Sequence, residues 1–306
     1  PDPYIIDAKP YGWYNLANKQ RGKVMSYDIG EQSVFYDLPF GEHERHKLDI
    51  FLPQSLNSIE KKLPFFVLIH GGGWTRGDKS RYHNFARFLN SKGYAAVCVS
   101  YRLLNMGSDC EGIMSDIHAG MNFIKENGGK YMLDTEKTAL VGNSAGGHVA
   151  LLYGYKMKEA SPIKIAFIIS EVGPTDFCDP SFFENCPDEV LHNRLWLVSA
   201  LTGEPVSPGL VFSGNFPESV LRISPINYVD KDFPPTILEY GMEDPVVPYT
   251  NGERLFKKLR ETDPDEARSQ LILFRNSGHD LANDAEAKER SLELLDIFSA
   301  RYLPLP

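Results

Sequence analysis

Residues 138–152 read TALVGNSAGGHVALL: a short β-rich run, a serine flanked by glycines, then an apolar stretch at helical spacing. Small neighbours at Gly142, Gly146 and Gly147 let a strand turn sharply into a helix without side-chain clashes. Such a turn lifts the Ser144 hydroxyl clear of the sheet. The helix that follows aims its first amides at the same place, where they favour developing negative charge.

Short apolar runs recur on both sides of this turn. SVFYDL (33–38) and HKLDIFL (46–52), separated by the turn-rich GEHE, are expected to form a hairpin or meander. FFVLIH (65–70), AAVCVS (95–100), TALVG (138–142), IAFIIS (165–170), TILEY (236–240) and LILFR (271–275) follow as strands. Between them, residues 81–92, 113–127, 144–157, 249–261 and 283–301 are expected to form amphipathic helices. Buried strands of this length alternating with helices predict an α/β fold, with a mostly parallel central sheet covered by helices on both faces.

Residues 174–233 break the rhythm with a long excursion between two core strands, expected to be an inserted cap. Residues 1–30 carry no clear period and are expected to be an arm laid over a single domain spanning 31–306. The chain starts at Pro1 rather than Met, as expected of a processed or trimmed product. Compartment and oligomeric state are left open.

Composition narrows the function. In 306 residues there are 41 acidic and 32 basic side chains, a net charge of −9, which disfavours gripping nucleic acid or an anionic membrane. The longest apolar runs, FFVLI and AAVCV, fall far short of a membrane span of ~20 residues. Four cysteines are too few for a disulfide-built scaffold.

Two further motifs join the serine turn. His70-Gly71-Gly72-Gly73-Trp74 closes a strand, and consecutive glycines there let backbone amides approach a ligand. Gly72 and Gly73, with Ala145 just after the serine, are the expected donors to a carbonyl oxygen that gains charge. The competing reading of GGG as a phosphate cradle lacks the remaining glycines or lysine of such loops. A serine also needs a base, and the base an orienting carboxylate. TILEY is followed by Glu243-Asp244-Pro245 and LILFR by Gly278-His279-Asp280, each at a strand's C-terminal end. Asp244 is the candidate acid and His279 the candidate base, with Glu243 and Asp280 as nearby decoys. The three candidates run Ser, Asp, His with spacings of 100 and 35 residues.

With HGGGW, Tyr101-Arg102-Leu103, GNSAGGH, GMEDPVVP and SGHD in this order, the chain resembles the esterase/lipase branch of the α/β-hydrolase superfamily. That branch includes hormone-sensitive-lipase-like enzymes, acetyl and feruloyl esterases, and kynurenine formamidase. The resemblance covers about residues 34–302 outside the insertion. It implies Ser144, Asp244 and His279 as a catalytic triad, an oxyanion hole from Gly72, Gly73 and Ala145, and neither metal nor organic cofactor. Asn143, where hormone-sensitive-lipase-like sequences typically carry Asp, places the chain closer to the acetyl and feruloyl esterases. A short-acyl ester, small or carbohydrate-linked, is the expected substrate. An amidase such as kynurenine formamidase, a peptidase, or a catalytically silent binding module are the alternatives.

The remaining features have plainer readings. His43-Glu44-Arg45-His46 is expected to be a solvated turn rather than a metal site. His70 is expected to shape its loop by hydrogen bonding, Cys98 to be a core residue, and Asp116 and His118 to pack and hydrogen-bond. Cys178 and Cys186 are open between a disulfide and two thiols. Phe177, Phe182, Phe183, Trp196 and Phe212 crowd the insertion, either as a small core of its own or, with Trp74, as the wall of an acyl pocket.

Overall fold

Eight strands pair into one sheet: β1 (Val34–Pro39), β2 (Lys47–Phe51), β3 (Leu63–Ile69), β4 (Ala95–Val99), β5 (Leu133–Asn143), β6 (Lys164–Glu171), β7 (Thr236–Gly241) and β8 (Ser269–Phe274). The computed structural model describes residues 33–53, 62–184 and 186–306, so the expected arm at 1–30 lies outside the described residues. The strand order is β1-β2-β4-β3-β5-β6-β7-β8. β1 and β2, and β2 and β4, pair antiparallel; every other neighbouring pair is parallel.

Side-chain alternation divides the core between the two faces. Phe65, Val67 and Ile69 of β3 point to one face, and Phe66 and Leu68 to the other. Helices α1 (His83–Ser91), α2 (Cys110–Asn127) and α3 (Ala145–Lys156) follow β3, β4 and β5 respectively. α1 covers the Phe66 face through Phe85, Ala86 and Leu89, whereas α2 and α3 cover the Val67 face. α2 begins where Asp109 accepts the Gly112 amide at 2.7 Å, a capping bond that satisfies one of the helix's orphan donors.

The insertion between β6 and β7 holds α4 (Asp188–Thr202), α5 (Pro208–Phe212) and α6 (Glu218–Arg222). α7 (Tyr249–Thr262) follows β7 on the Val67 face, and α8 (Ala285–Tyr302) ends the fold on the Phe66 face.

Two expectations need correction. α3 is not amphipathic: every residue from Ala145 to Tyr155 is buried, because this helix runs between the sheet and the inserted segment. An all-round apolar helix is what full enclosure selects. The insertion has no separate small core either. Phe177, Phe182 and Phe183 belong to the same cluster as Val67 and Ile69, while Trp196 and Phe212 are 52% and 58% exposed. The insertion is therefore a third layer welded to one face of the sheet.

Candidate active site

The site is built at the C-terminal edge of the parallel strands. Ser144 sits between β5 and α3 with φ 54° and ψ −122°, a conformation a side-chain-bearing residue rarely adopts. The surroundings enforce it. The Ser144 amide donates to the Glu171 carbonyl at 2.7 Å and its carbonyl accepts from His148 N at 3.0 Å. Glycine at 146 is required, because a Cβ there would collide with the Ile69 carbonyl at the end of β3.

His279 reaches this serine from the loop after β8. Its Nε2 lies 2.9 Å from Ser144 Oγ, and its Nδ1 lies 2.7 Å from Asp244 Oδ2. The Asp244 side chain is fully buried, and its other oxygen accepts from Val246 N at 2.7 Å and Val247 N at 3.2 Å. The two loops are laced together, with Glu243 N donating to the Ser277 carbonyl at 3.0 Å. Asp284 anchors the histidine loop by accepting from Ser277 Oγ at 2.5 Å and from the Asn276 side chain at 2.7 Å. Of the two decoys, Glu243 is exposed, and Asp280 accepts from the Ala282 amide.

The glycine loop lies against the serine. A Cβ added to Gly71 would stand 2.6 Å from the Asn143 carbonyl and 3.3 Å from Ser144 Cβ. Gly72, Gly73 and Trp74 all take positive φ, 121°, 59° and 57°, which turns the backbone back toward the elbow. Among the described residues, none of the amides of Gly72, Gly73 and Ala145 donates a hydrogen bond.

His148, in the second turn of α3, holds this loop in place. Trp74 Nε1 donates to His148 Nδ1 at 3.2 Å, and His148 Nε2–H donates to the Ile223 carbonyl at 2.7 Å. Burial lowers the His148 pKa to about 4, which keeps the ring in the neutral form that these two bonds need. Phe177 packs edge-on to His148 and Phe182 edge-on to Phe177, at 5.3 and 5.5 Å. Trp74, Phe177 and Phe182 thus form a buried aromatic column, whereas Trp196 lines a surface hollow with Ser199, Ala200, Glu204 and Val206. Neither Ser144, Asp244 nor His279 lines that hollow.

His70 shapes the loop through its bond to the Gly71 carbonyl at 2.9 Å and its stacking on Tyr101 at 4.3 Å. Arg45 contacts its other nitrogen and also donates to the Gly77 carbonyl at 2.7 Å. Burial lowers the His70 pKa to about 3, so it is a neutral strut. The His43–His46 turn is not simply solvated. His46 Nε2 lies 3.0 Å from Asp116, which also takes the Arg102 guanidinium at 2.7 Å. Cys178 and Cys186 are both free thiols.

Arg194 was not among the residues singled out from the sequence. This buried α4 side chain donates to the Phe182 carbonyl at 2.6 Å and to the Pro245 and Val246 carbonyls at 2.8 and 3.1 Å, which ties the insertion to the turn after Asp244.

Comparison with known proteins agrees with this architecture. The BD-FAE family model matches residues 48–259, more than two-thirds of the chain. The chain belongs to the BD-FAE family. A probable isoprenylcysteine alpha-carbonyl methylesterase of Oryza sativa subsp. japonica is 24% identical over 84% of the chain and 60% of its own length. A probable carboxylic ester hydrolase, LipM, of Mycobacterium tuberculosis is 22% identical over 87% of the chain and 61% of its own length. The chain thus spans about three-fifths of these curated relatives. Among solved structures, a truncated carbohydrate esterase from gut microbiota superposes with a TM-score of 0.70 at 20% identity, over 89% of this chain and 99% of that one. The shared fold is the α/β-hydrolase fold.

Proposed function

We propose that this BD-FAE family member is a serine hydrolase of carboxylic esters that works through an acyl-enzyme on Ser144. The observation that carries the proposal is the line from Asp244 Oδ2 through both ring nitrogens of His279 to Ser144 Oγ, with contacts of 2.7 and 2.9 Å. His279 Nδ1–H donates to Asp244, which leaves Nε2 as an acceptor facing the serine hydroxyl. As Ser144 Oγ attacks the acyl carbon, Nε2 takes its proton. The former carbonyl oxygen becomes an oxyanion, and the unpaired amides of Gly72, Gly73 and Ala145 are the donors available to it. His279 then gives its proton to the departing alcohol oxygen. Water repeats the cycle on the acyl-enzyme, with His279 again as base. Asp244 holds the tautomer and stabilises the transient imidazolium.

Proteins similar to this chain that are named as a methylesterase and as a carbohydrate esterase are consistent with a carboxylic ester substrate. A short acyl group, acetyl or feruloyl, on a carbohydrate is the substrate class proposed. The test compares wild type with Ser144→Ala on p-nitrophenyl acetate and then profiles acetyl-xylan, methyl ferulate and N-formylkynurenine. The proposal expects hydrolysis by wild type, none by the variant, and a preference for the esters. Full activity in Ser144→Ala would refute the mechanism, and preference for the formamide would move the substrate to amides.

A further inference from the structure

β5, β6 and β7 end side by side, and one face of the sheet carries a row of polar residues beneath the elbow. Asn143 is in register with Glu171, and Glu171 with Glu239. All three are buried. Strand alternation places them on the face of Ile169 and Ile237, the apolar layer that α1 and α8 cover. Two groups from other elements reach this row. Ser291 of α8 donates to Glu239 Oε1 at 2.6 Å, and the buried phenol of Tyr82 feels the charge of both glutamates. Among the described residues, no cationic side chain acts on either carboxyl.

Two neighbouring carboxylates in an apolar layer without a counter-ion cannot both be charged. Burial pushes Glu239 up to about 7, and burial together with the Glu239 charge pushes Glu171 well above the usual carboxylate range. The backbone joins this pair to the nucleophile's turn: Ser144 N donates to the Glu171 carbonyl and Val172 N to the Glu239 carbonyl, both at 2.7 Å. The Asn143 amide is next in the row, and its interaction with the Glu171 carboxyl opposes part of that rise.

We propose that Glu171 and Glu239 hold one proton between them at neutral pH, and that this carboxyl–carboxylate pair supports the Ser144 turn and demands an uncharged side chain at position 143. The pair is a positioning device and touches no reacting atom. Its sign in a stability measurement is fixed. Between the usual Glu pKa near 4.5 and the raised folded values, the native state binds more protons than the unfolded chain, so this pair's contribution falls as pH rises. Glu171→Gln keeps a donor toward Glu239 and removes the titration. Asn143→Asp adds a third acid to the row.

Thermal melts from about pH 5 to about pH 8 on wild type, Glu171→Gln, Asn143→Asp and the double variant test this directly. The Tm of Glu171→Gln relative to wild type is expected to climb across that range by on the order of 3 °C. Asn143→Asp is expected to lose more Tm at the upper pH than at the lower, and Glu171→Gln in the same chain to remove most of that loss. A Glu171→Gln difference that is flat in pH, or an Asn143→Asp loss that Glu171→Gln leaves untouched, would overturn the proposal. Infrared spectra of the wild-type chain in D2O at about pH 8 provide a check that needs no variant to fold. A protonated-carboxyl band is expected there, and its absence also overturns the proposal. None of these readouts depends on ester hydrolysis, so their failure is separable from failure of the proposed reaction.

Discussion

Replacing Asp244 with Asn changes one atom and reverses the direction of a hydrogen bond. Asp244 Oδ1 accepts from the amides of Val246 and Val247, at 2.7 and 3.2 Å, while Oδ2 faces His279 Nδ1 at 2.7 Å. Only the carbonyl oxygen of an Asn can satisfy the two backbone donors, so its NH2 group must turn toward His279. Nδ1 then becomes the acceptor, the ring proton moves to Nε2, and the nitrogen facing Ser144 can no longer take a proton. Loss of the correct tautomer in a serine triad costs about four decades of kcat, or about 5.4 kcal/mol at roughly 1.36 kcal/mol per decade. KM is expected to change little, because no substrate contact is lost, and Tm is expected to stay close to wild type. The assay is p-nitrophenyl acetate hydrolysis, with circular dichroism as the folding check. A folded Asp244→Asn protein with kcat within about tenfold of wild type would exclude Asp244 as the orienting acid and hand that role to Glu243 or Asp280.

Two further outcomes follow from the buried histidines. Trp74→Phe removes the indole N–H that satisfies His148 Nδ1 at 3.2 Å and leaves a buried acceptor unpaired. The expected cost is about 1–3 kcal/mol, read as a lower urea midpoint, together with a fall in kcat as the Gly72–Gly73 loop loosens; an unchanged midpoint would contradict it. The pKa values of His148 and His70 are lowered to about 4 and about 3, so the unfolded chain binds protons that the native state refuses. Their stabilising effect is complete above about pH 6.5 and is lost as pH falls through about 4 and about 3, which thermal melts down that range measure.

Much of the fold was legible because central strands buried on both faces, such as β3 and β4, leave unbroken apolar runs. FFVLI and AAVCV needed no context to be read, since a strand buried on both faces favours apolar side chains at every position. The three residues of the candidate site were legible for a related reason. Ser144, Asp244 and His279 each follow a strand at its C-terminal end, and a parallel sheet brings those ends to one edge.

What stayed hidden depends on partners far along the chain. His148 is fixed by the Ile223 carbonyl, 75 residues away, and Arg194 by two carbonyls 51 and 52 residues away. A backbone carbonyl leaves no trace in side-chain identity. Glu171 and Glu239 look like ordinary strand-end acids until the register sets them side by side. The insertion misled for the opposite reason. Its aromatics are dense in sequence, but Phe177 and Phe182 turn into the main core while Trp196 faces out, and composition alone cannot separate the two.

Everything proposed for the site depends on Ser144 being a nucleophile activated by His279. Treating the folded protein with a fluorophosphonate probe and mapping the adduct by peptide mass spectrometry tests it most directly. One adduct is expected, on the peptide carrying Ser144, that disappears in Ser144→Ala and is slowed severely in His279→Ala. A folded wild-type protein that takes no label, or takes it on another residue, would exclude Ser144 as the nucleophile and favour a catalytically silent binding module.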